Sequence, residues 1–278
     1  MNNKKIVTKE IDLNGRKLKL TTGQLAQQAD ASVVASWGET VVLVTVSIKP
    51  TLEATDHFPL SVEFVEKYYA GGRISSSRFI KRETRPSDEA ILNGRLIDRS
   101  IRPLFPKDFH NEVQIIITVL SIDQANDPDI LGLIGASAAL SISSVPWHGP
   151  LGAARIGERD GKLMVNPTIE ELEHLSLDLF IASTKDKVVM IEARAKQVDD
   201  QVVFGAIKQA HSESQAIIGL IEDFIKEASQ EKQTYSAMAE EIEEAVLSEV
   251  KKLAKTRIEA ALFDKEHAWH EATGDMIK

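Results

Sequence analysis

Apolar and polar positions divide the chain into two patterns. Through the first half, β-branched and apolar residues come in short runs that predict strands at 18–20, 32–37 and 40–48, the last two joined by a hairpin turn at Gly38-Glu39. Residues 60–68 alternate loosely, with Val62 and Phe64 set against Glu63 and Glu66, and predict a half-buried strand. Residues 111–121 predict a long buried strand. The apolar run there is interrupted by Gln114 and Thr118 and is shorter than the ~18 residues a membrane span needs. Further strands are expected at 152–157, 162–165, 177–183 and 188–192, with Asp160-Gly161 as a second hairpin turn.

Helical spacing takes over elsewhere. Residues 88–102 predict a helix opened by Ser87 as N-cap, with Asp88 and Glu89 in its first turn and Pro103 stopping it. After Pro128, residues 130–144 predict a second helix rich in Ala, Gly and Ser. Residues 202–228 carry apolar side chains at helical spacing, and 236–262 form a charged, Ala- and Glu-rich amphipathic stretch. The resulting expectation is an α+β region followed by a small all-helical one, divided as 1–146, 147–234 and 235–278. The total of 278 residues suggests about two domains.

Composition narrows the class. Hydrophobic residues make up 43% and charged residues 27%, which is ordinary for a globular chain. There is no cysteine, which excludes disulfides, thiolate metal sites and a cysteine nucleophile. The N-terminus, MNNKKIVTKE, has charges without an apolar run behind them, so it is not a secretory signal. A soluble, cytoplasmic protein without a membrane partner is the expectation.

The net charge of −9 conceals an asymmetry. From Arg73 to Arg102 there are eight basic and four acidic residues, a local +4, whereas from Glu222 to Lys278 there are eight basic and fourteen acidic, a local −6. Two differently employed surfaces follow from this. Residues 72–87, GRISSSRFIKRETRPS, carry five bases around Phe79. Such a loop suits single-stranded nucleic acid, with cations along the phosphates and a ring stacked on a base. It equally suits a solvated loop with Phe79 folded into the core.

On the following helix, Arg95, Arg99 and Arg102 stand at i, i+4 and i+7, on one face. Guanidinium groups so aligned repel one another unless anions lie between them, and their fork matches phosphate oxygens. Intrahelical pairing is the competing reading, since Asp98 can reach Arg95 and Arg102 but leaves Arg99 without a partner. Leu92, Leu96 and Ile97 are expected to form the buried side of this helix. Asp127 and Asp129 read as turn and cap residues, and Gly132, Gly135 and Ser137 as positions of close helix packing rather than a nucleophile elbow. His267 and His270 lack a carboxylate at metal-ligand spacing, and no Walker or dinucleotide fingerprint is present.

The run AGGRISSSRFIKRETRPSDEAILNGRLIDRSIRPLFPKDFHNEVQI and the later IGASAALSISSVPWHGPLGAARIG resemble the first RNase PH-type core of the bacterial polynucleotide phosphorylase family. The resemblance spans roughly residues 12–228, and 236–278 resemble the start of that family's helical linker domain. It implies an RNase PH-like α+β core in a trimeric ring. It also implies degradation of single-stranded RNA from its 3′ end with inorganic phosphate, releasing nucleoside diphosphates, and further protein partners from RNA-degradation complexes. By the same resemblance Phe79, Lys81 and Arg82 belong to the RNA channel loop, with Ile80 where a second aromatic is usual. Arg85, Arg102 and Arg155 become RNA contacts, and Arg95 and Arg99 become substrate-positioning groups at the catalytic centre.

The resemblance further implies a divalent metal, Mg²⁺ or Mn²⁺, and phosphate held by a second core that follows the helical domain. The chain ends inside that domain, so it is expected to be an N-terminal portion, inactive in isolation and without its own metal ligands. A non-catalytic RNA-binding subunit of an exosome-like ring is the alternative class.

Overall fold

A computed structural model describes residues 5–13, 15–50, 57–73, 85–123, 125–234 and 244–263. The fold is α+β, with two sheets and five helices among the described residues. The chain forms two compact units, 1–236 and 237–278.

The larger unit begins with a meander. Strands β1 (Val7–Leu13), β2 (Arg16–Thr22), β3 (Ala31–Trp37) and β4 (Thr40–Lys49) pair antiparallel in sequence order. Strand β6 (Glu112–Ser121) pairs antiparallel with β4, and β5 (Leu60–Val65) adds in parallel to the far side of β6. The sheet order is β1-β2-β3-β4-β6-β5. In β4, Val42, Val44 and Val46 face the core and the intervening positions are half-exposed, the period-two pattern of a one-sided sheet. The β3–β4 turn uses Gly38 at φ +58°, and a Cβ there would collide with Asp123 and Asn126.

Strand β1 is an element the sequence reading missed. Val7, Lys9, Ile11 and Leu13 occupy its less exposed side, but lysine at one of the four positions disguises the alternation. The strand expected at 60–68 ends at Val65, and Tyr68–Gly71 instead close a 3₁₀ turn.

The second sheet is antiparallel, in the order β10-β9-β7-β8. It comprises β7 (Gly152–Arg159), β8 (Lys162–Val165), β9 (Leu177–Ser183) and β10 (Val188–Ala195). Asp160 and Gly161 both take positive φ, 52° and 77°, as a tight β7–β8 turn requires. A single-turn helix, α3 (Ile169–Leu172), precedes β9 and is held by a capping box between Thr168 and Glu171.

Helix α1 (Asp88–Ile101) packs on β5, and α2 (Pro128–Ile142) packs on β3 and β4. Long helix α4 (Asp200–Ala228) covers β7 and β9 and also touches α2. Helix α2 is buried along nearly its whole circumference, because it lies between the first sheet and elements of the second half. Gly132 and Gly135 make its seat on the sheet possible: a Cβ on Gly135 would lie 2.7 Å from a Val44 methyl. Ser137 is a buried packing residue, its Oγ accepting from the Leu151 amide at 2.8 Å. In the smaller unit, α5 (Glu244–Leu262) is a single helix. None of the described helices is long and apolar enough to cross a membrane.

Candidate nucleic-acid interface

The interface is built on α1. Ser87 Oγ accepts from the Ala90 amide at 3.0 Å and donates to Glu66 at 2.7 Å, which pins the start of the helix to the end of β5. Gly94 lets the helix approach the strand closely, since a Cβ there would stand 3.1 Å from the Val62 carbonyl oxygen. Ala90, Gly94, Ile97 and Ile101 form the buried face. Leu92 does not join them as expected: it is 61% exposed, and Leu96 is only partly buried. The buried stripe is set by the small residues, which admit β5, so the helix is rotated away from its bulkier leucines.

That rotation leaves Arg95, Arg99 and Arg102 on an open groove of about 580 Å³, together with Val62, Leu92 and Glu192. Their situations differ. Arg102 grips Asp98 with two nitrogens, at 2.5 and 2.6 Å, and donates to the carbonyls of Phe58 and Leu60 at 3.1 and 3.2 Å. The hydrogen bonds to Asp98 raise its pKa above the ordinary arginine value. Asp98 therefore serves Arg102 and not Arg95. Arg99 pairs with Glu192 of β10, a partner 93 positions away that local spacing could not reveal. It also lies 3.5 Å from the Met190 sulfur. Arg95 is exposed and makes no ion pair among the described residues.

Beside this groove, a second cleft of about 410 Å³ brings Arg85 together with Lys67, Tyr68 and Arg73 over an apolar floor that includes Phe64 and Ile122. Arg73 and Arg85 are the two described residues that bracket the basic loop. Phe79, Lys81 and Arg82 lie outside the described residues, as do His267 and His270.

Arg155 has a different setting. Only 15% of its side chain is exposed, and it binds Asp178 at 2.7 and 2.9 Å, Asp127 at 2.8 Å and Asp129 at 3.3 Å. Burial opposes its charge, yet the hydrogen bonds to Asp178 and the three carboxylate charges raise its pKa above the usual value. Burial, followed by the charge of Asp127, raises the Asp129 carboxyl well above the ordinary range. Asp127 also caps α2 by accepting from the Asp129 amide, the role its place before Pro128 predicted. Asp178 was missed by the sequence reading. Strand register exposes it: Arg155 stands opposite Phe180, so Asp178 lies diagonally across on the same face.

A polar belt continues from this cluster. Arg16 donates to Asn126 Oδ1 at 2.9 Å and to the Asn166 carbonyl at 2.7 Å, and its guanidinium covers Trp37 at 4.8 Å. Asn126 in turn binds Asp123, whose carboxylate also accepts from the amides of Glu39 and Thr40. Burial would push the Asp123 carboxyl up, but the hydrogen bonds from Asn126, Ala125 and Glu39 outweigh it and bring it to about 2.

These acids do not fit a divalent metal. Asp127, Asp129 and Asp178 converge on a guanidinium, and the described residues contain no group of three or more His, Asp or Glu placed to hold a metal ion.

Residues 14–146 match the 3′ exoribonuclease family, domain 1, and residues 149–213 match its domain 2. A polyribonucleotide nucleotidyltransferase of Maricaulis maris is 47% identical over 236 residues, covering 84% of this chain and 33% of the relative. The enzyme of the same name from Thermus thermophilus is 47% identical over 85% of this chain and 34% of its own length. That of Acidiphilium cryptum is 45% identical over 97% and 38%. The chain thus spans about a third of the length of these curated relatives. Rice Rrp46 shares the fold at a TM-score of 0.60 and 13% identity, over 81% of this chain and 98% of that one. With both family domains matched in order across most of the larger unit, the chain belongs to the RNase PH-type 3′ exoribonuclease family.

Proposed function

We propose that this chain is the RNA-guiding portion of a cytoplasmic polyribonucleotide nucleotidyltransferase, an enzyme that shortens single-stranded RNA from its 3′ end by phosphorolysis and works as a trimeric ring. The observation that carries the reading is the exposed cationic face of α1, where Arg95 is without an ion-pair partner among the described residues and Arg99 shares only Glu192. A guanidinium left open on a groove is placed to accept a phosphate oxygen. Arg85, with Arg73 and Lys67, extends the same positive surface toward the basic loop. Arg102 contributes by fixing the edge of the groove, since Asp98 and two carbonyls occupy its donors.

The relatives' name and the family's description support the reaction class. The proposal assigns the divalent metal and inorganic phosphate to the second core that the family resemblance implies, because the only buried acid cluster described in this chain is filled by Arg155. Arg155 then acts by holding the core rather than by touching RNA.

Salt-dependent binding of a single-stranded RNA tests the reading. With about four phosphate contacts, log affinity should fall against log salt with a slope near −3, at roughly −0.7 per contact. Arg95→Ala should weaken binding and reduce the slope by about 0.7. A wild-type slope near zero, or an Arg95→Ala variant that binds like wild type, removes the α1 groove from the RNA path.

A further inference from the structure

The C-terminal end of α2 is closed by an unusual partner. A helix leaves its last carbonyls without intrahelical donors, and when that end is buried each must be met by something else. Here Ser143 meets part of the need, its amide donating to Ala139 and Leu140 and its hydroxyl to Leu140 at 2.8 Å, and the segment after α4 supplies the rest. The Gln230 amide donates to Ile142 at 3.0 Å, and the Gln233 amide donates to Ser144 at 2.7 Å. Between them the Lys232 ammonium donates to the carbonyls of Leu140, Ser141 and Ser143 at 3.0, 3.0 and 2.8 Å.

Ser143 is fully buried and Ser141 nearly so. Three acceptors at these distances saturate the three N–H bonds of an ammonium, and they lie at the negative end of the helix dipole. Burial of its head group pulls the Lys232 amine down to about 8, although the residue as a whole is exposed, and the three carbonyl oxygens are what the ammonium has in place of water. Among the described residues no carboxylate pairs with Lys232. Asp30 points its carboxylate at the Ile48 amide, and Glu227 pairs with Lys9.

We propose that the carbonyl cluster at the end of α2 is a site for a primary ammonium group, filled in cis by Lys232, and that this occupancy latches residues 229–234 onto the core. Its chemistry selects an ion that can donate three hydrogen bonds. With the lysine side chain cut back, a small primary alkylammonium of the buffer can offer the same three N–H donors, whereas a quaternary ammonium of equal charge has no N–H to give.

The test uses the 278-residue chain and its Lys232→Ala and Lys232→Gln variants, followed by amide hydrogen exchange at Gln230 and Gln233. Lys232→Ala should speed exchange at these amides about tenfold or more, and 50 mM n-propylammonium should bring it back to within about twofold of wild type. Tetramethylammonium at the same ionic strength should not. Should Lys232→Ala fail to fold, Lys232→Gln carries the measurement, with faster exchange expected because a single amide cannot serve three carbonyls. Unchanged exchange in the variants, or equal recovery with tetramethylammonium, overturns the ammonium site.

Discussion

Arg155 on β7 and Arg95 on α1 present the same guanidinium in opposite circumstances. Arg155 is 15% exposed and meets three carboxylates, whereas Arg95 is exposed and meets none among the described residues. Arg99 and Arg102 fall between, the first paired with Glu192 across the groove and the second spent on Asp98 and two carbonyls. Desolvation explains the gradient. A charge taken out of water must be matched locally, so a buried arginine becomes part of the core, while one left in water keeps its donors for a ligand. Arginines of one resemblance-defined set therefore sit in different settings, and burial distinguishes them.

The sharpest way to break this contrast is to remove the buried cation. Arg155→Met should cost about 3–5 kcal/mol in urea denaturation, because Asp127, Asp129 and Asp178 lose their shared donor and counter-charge while remaining largely out of water. A loss below about 1 kcal/mol would place Arg155 with the exposed set. A smaller effect is expected at Ile97, which anchors α1 and is fully buried. Ile97→Val should lower stability by about 0.5–1.5 kcal/mol, while Arg99→Ala, an exposed pair, should change it by less than about 1 kcal/mol. Measured together by chemical denaturation, a larger loss for Arg99→Ala would make the stripe structural.

The polar belt is tested by pH rather than by a loss at neutral pH. Asp123 has its pKa lowered to about 2, so it contributes stability above its ordinary value near 3.8, and that contribution is lost as pH falls toward 2. Wild type should therefore lose its advantage over Asp123→Asn between pH 4 and pH 2 in thermal melts. A constant gap across that range would show that the carboxylate's charge adds nothing.

Much of the fold was legible in local pattern. The β3–β4 hairpin with Gly38, the Asp160-Gly161 turn, the Ser87 cap and the small-residue packing of α2 all follow from rules acting over a few residues. Strand β1 escaped because Lys9 sits where an apolar residue would have marked the alternation, and α3 because a single capped turn leaves no periodicity. The candidate interface was half legible. Helical spacing alone aligned Arg95, Arg99 and Arg102, and Pro128 with its flanking acids marked the start of α2.

What the sequence by itself determined, then, was which residues form the elements and which share a helix face, because caps, turns and periodicity are local. Which arginine lacks a counter-charge among the described residues was decided by tertiary structure. Glu192 reaches Arg99 from a strand 93 positions later, and Asp178 reaches Arg155 through strand register. Lys232 closes α2 from 89 positions or more away. Counter-charges and terminal caps brought together by folding carry no local signature, so their pairing is settled only when the layers pack and water is excluded.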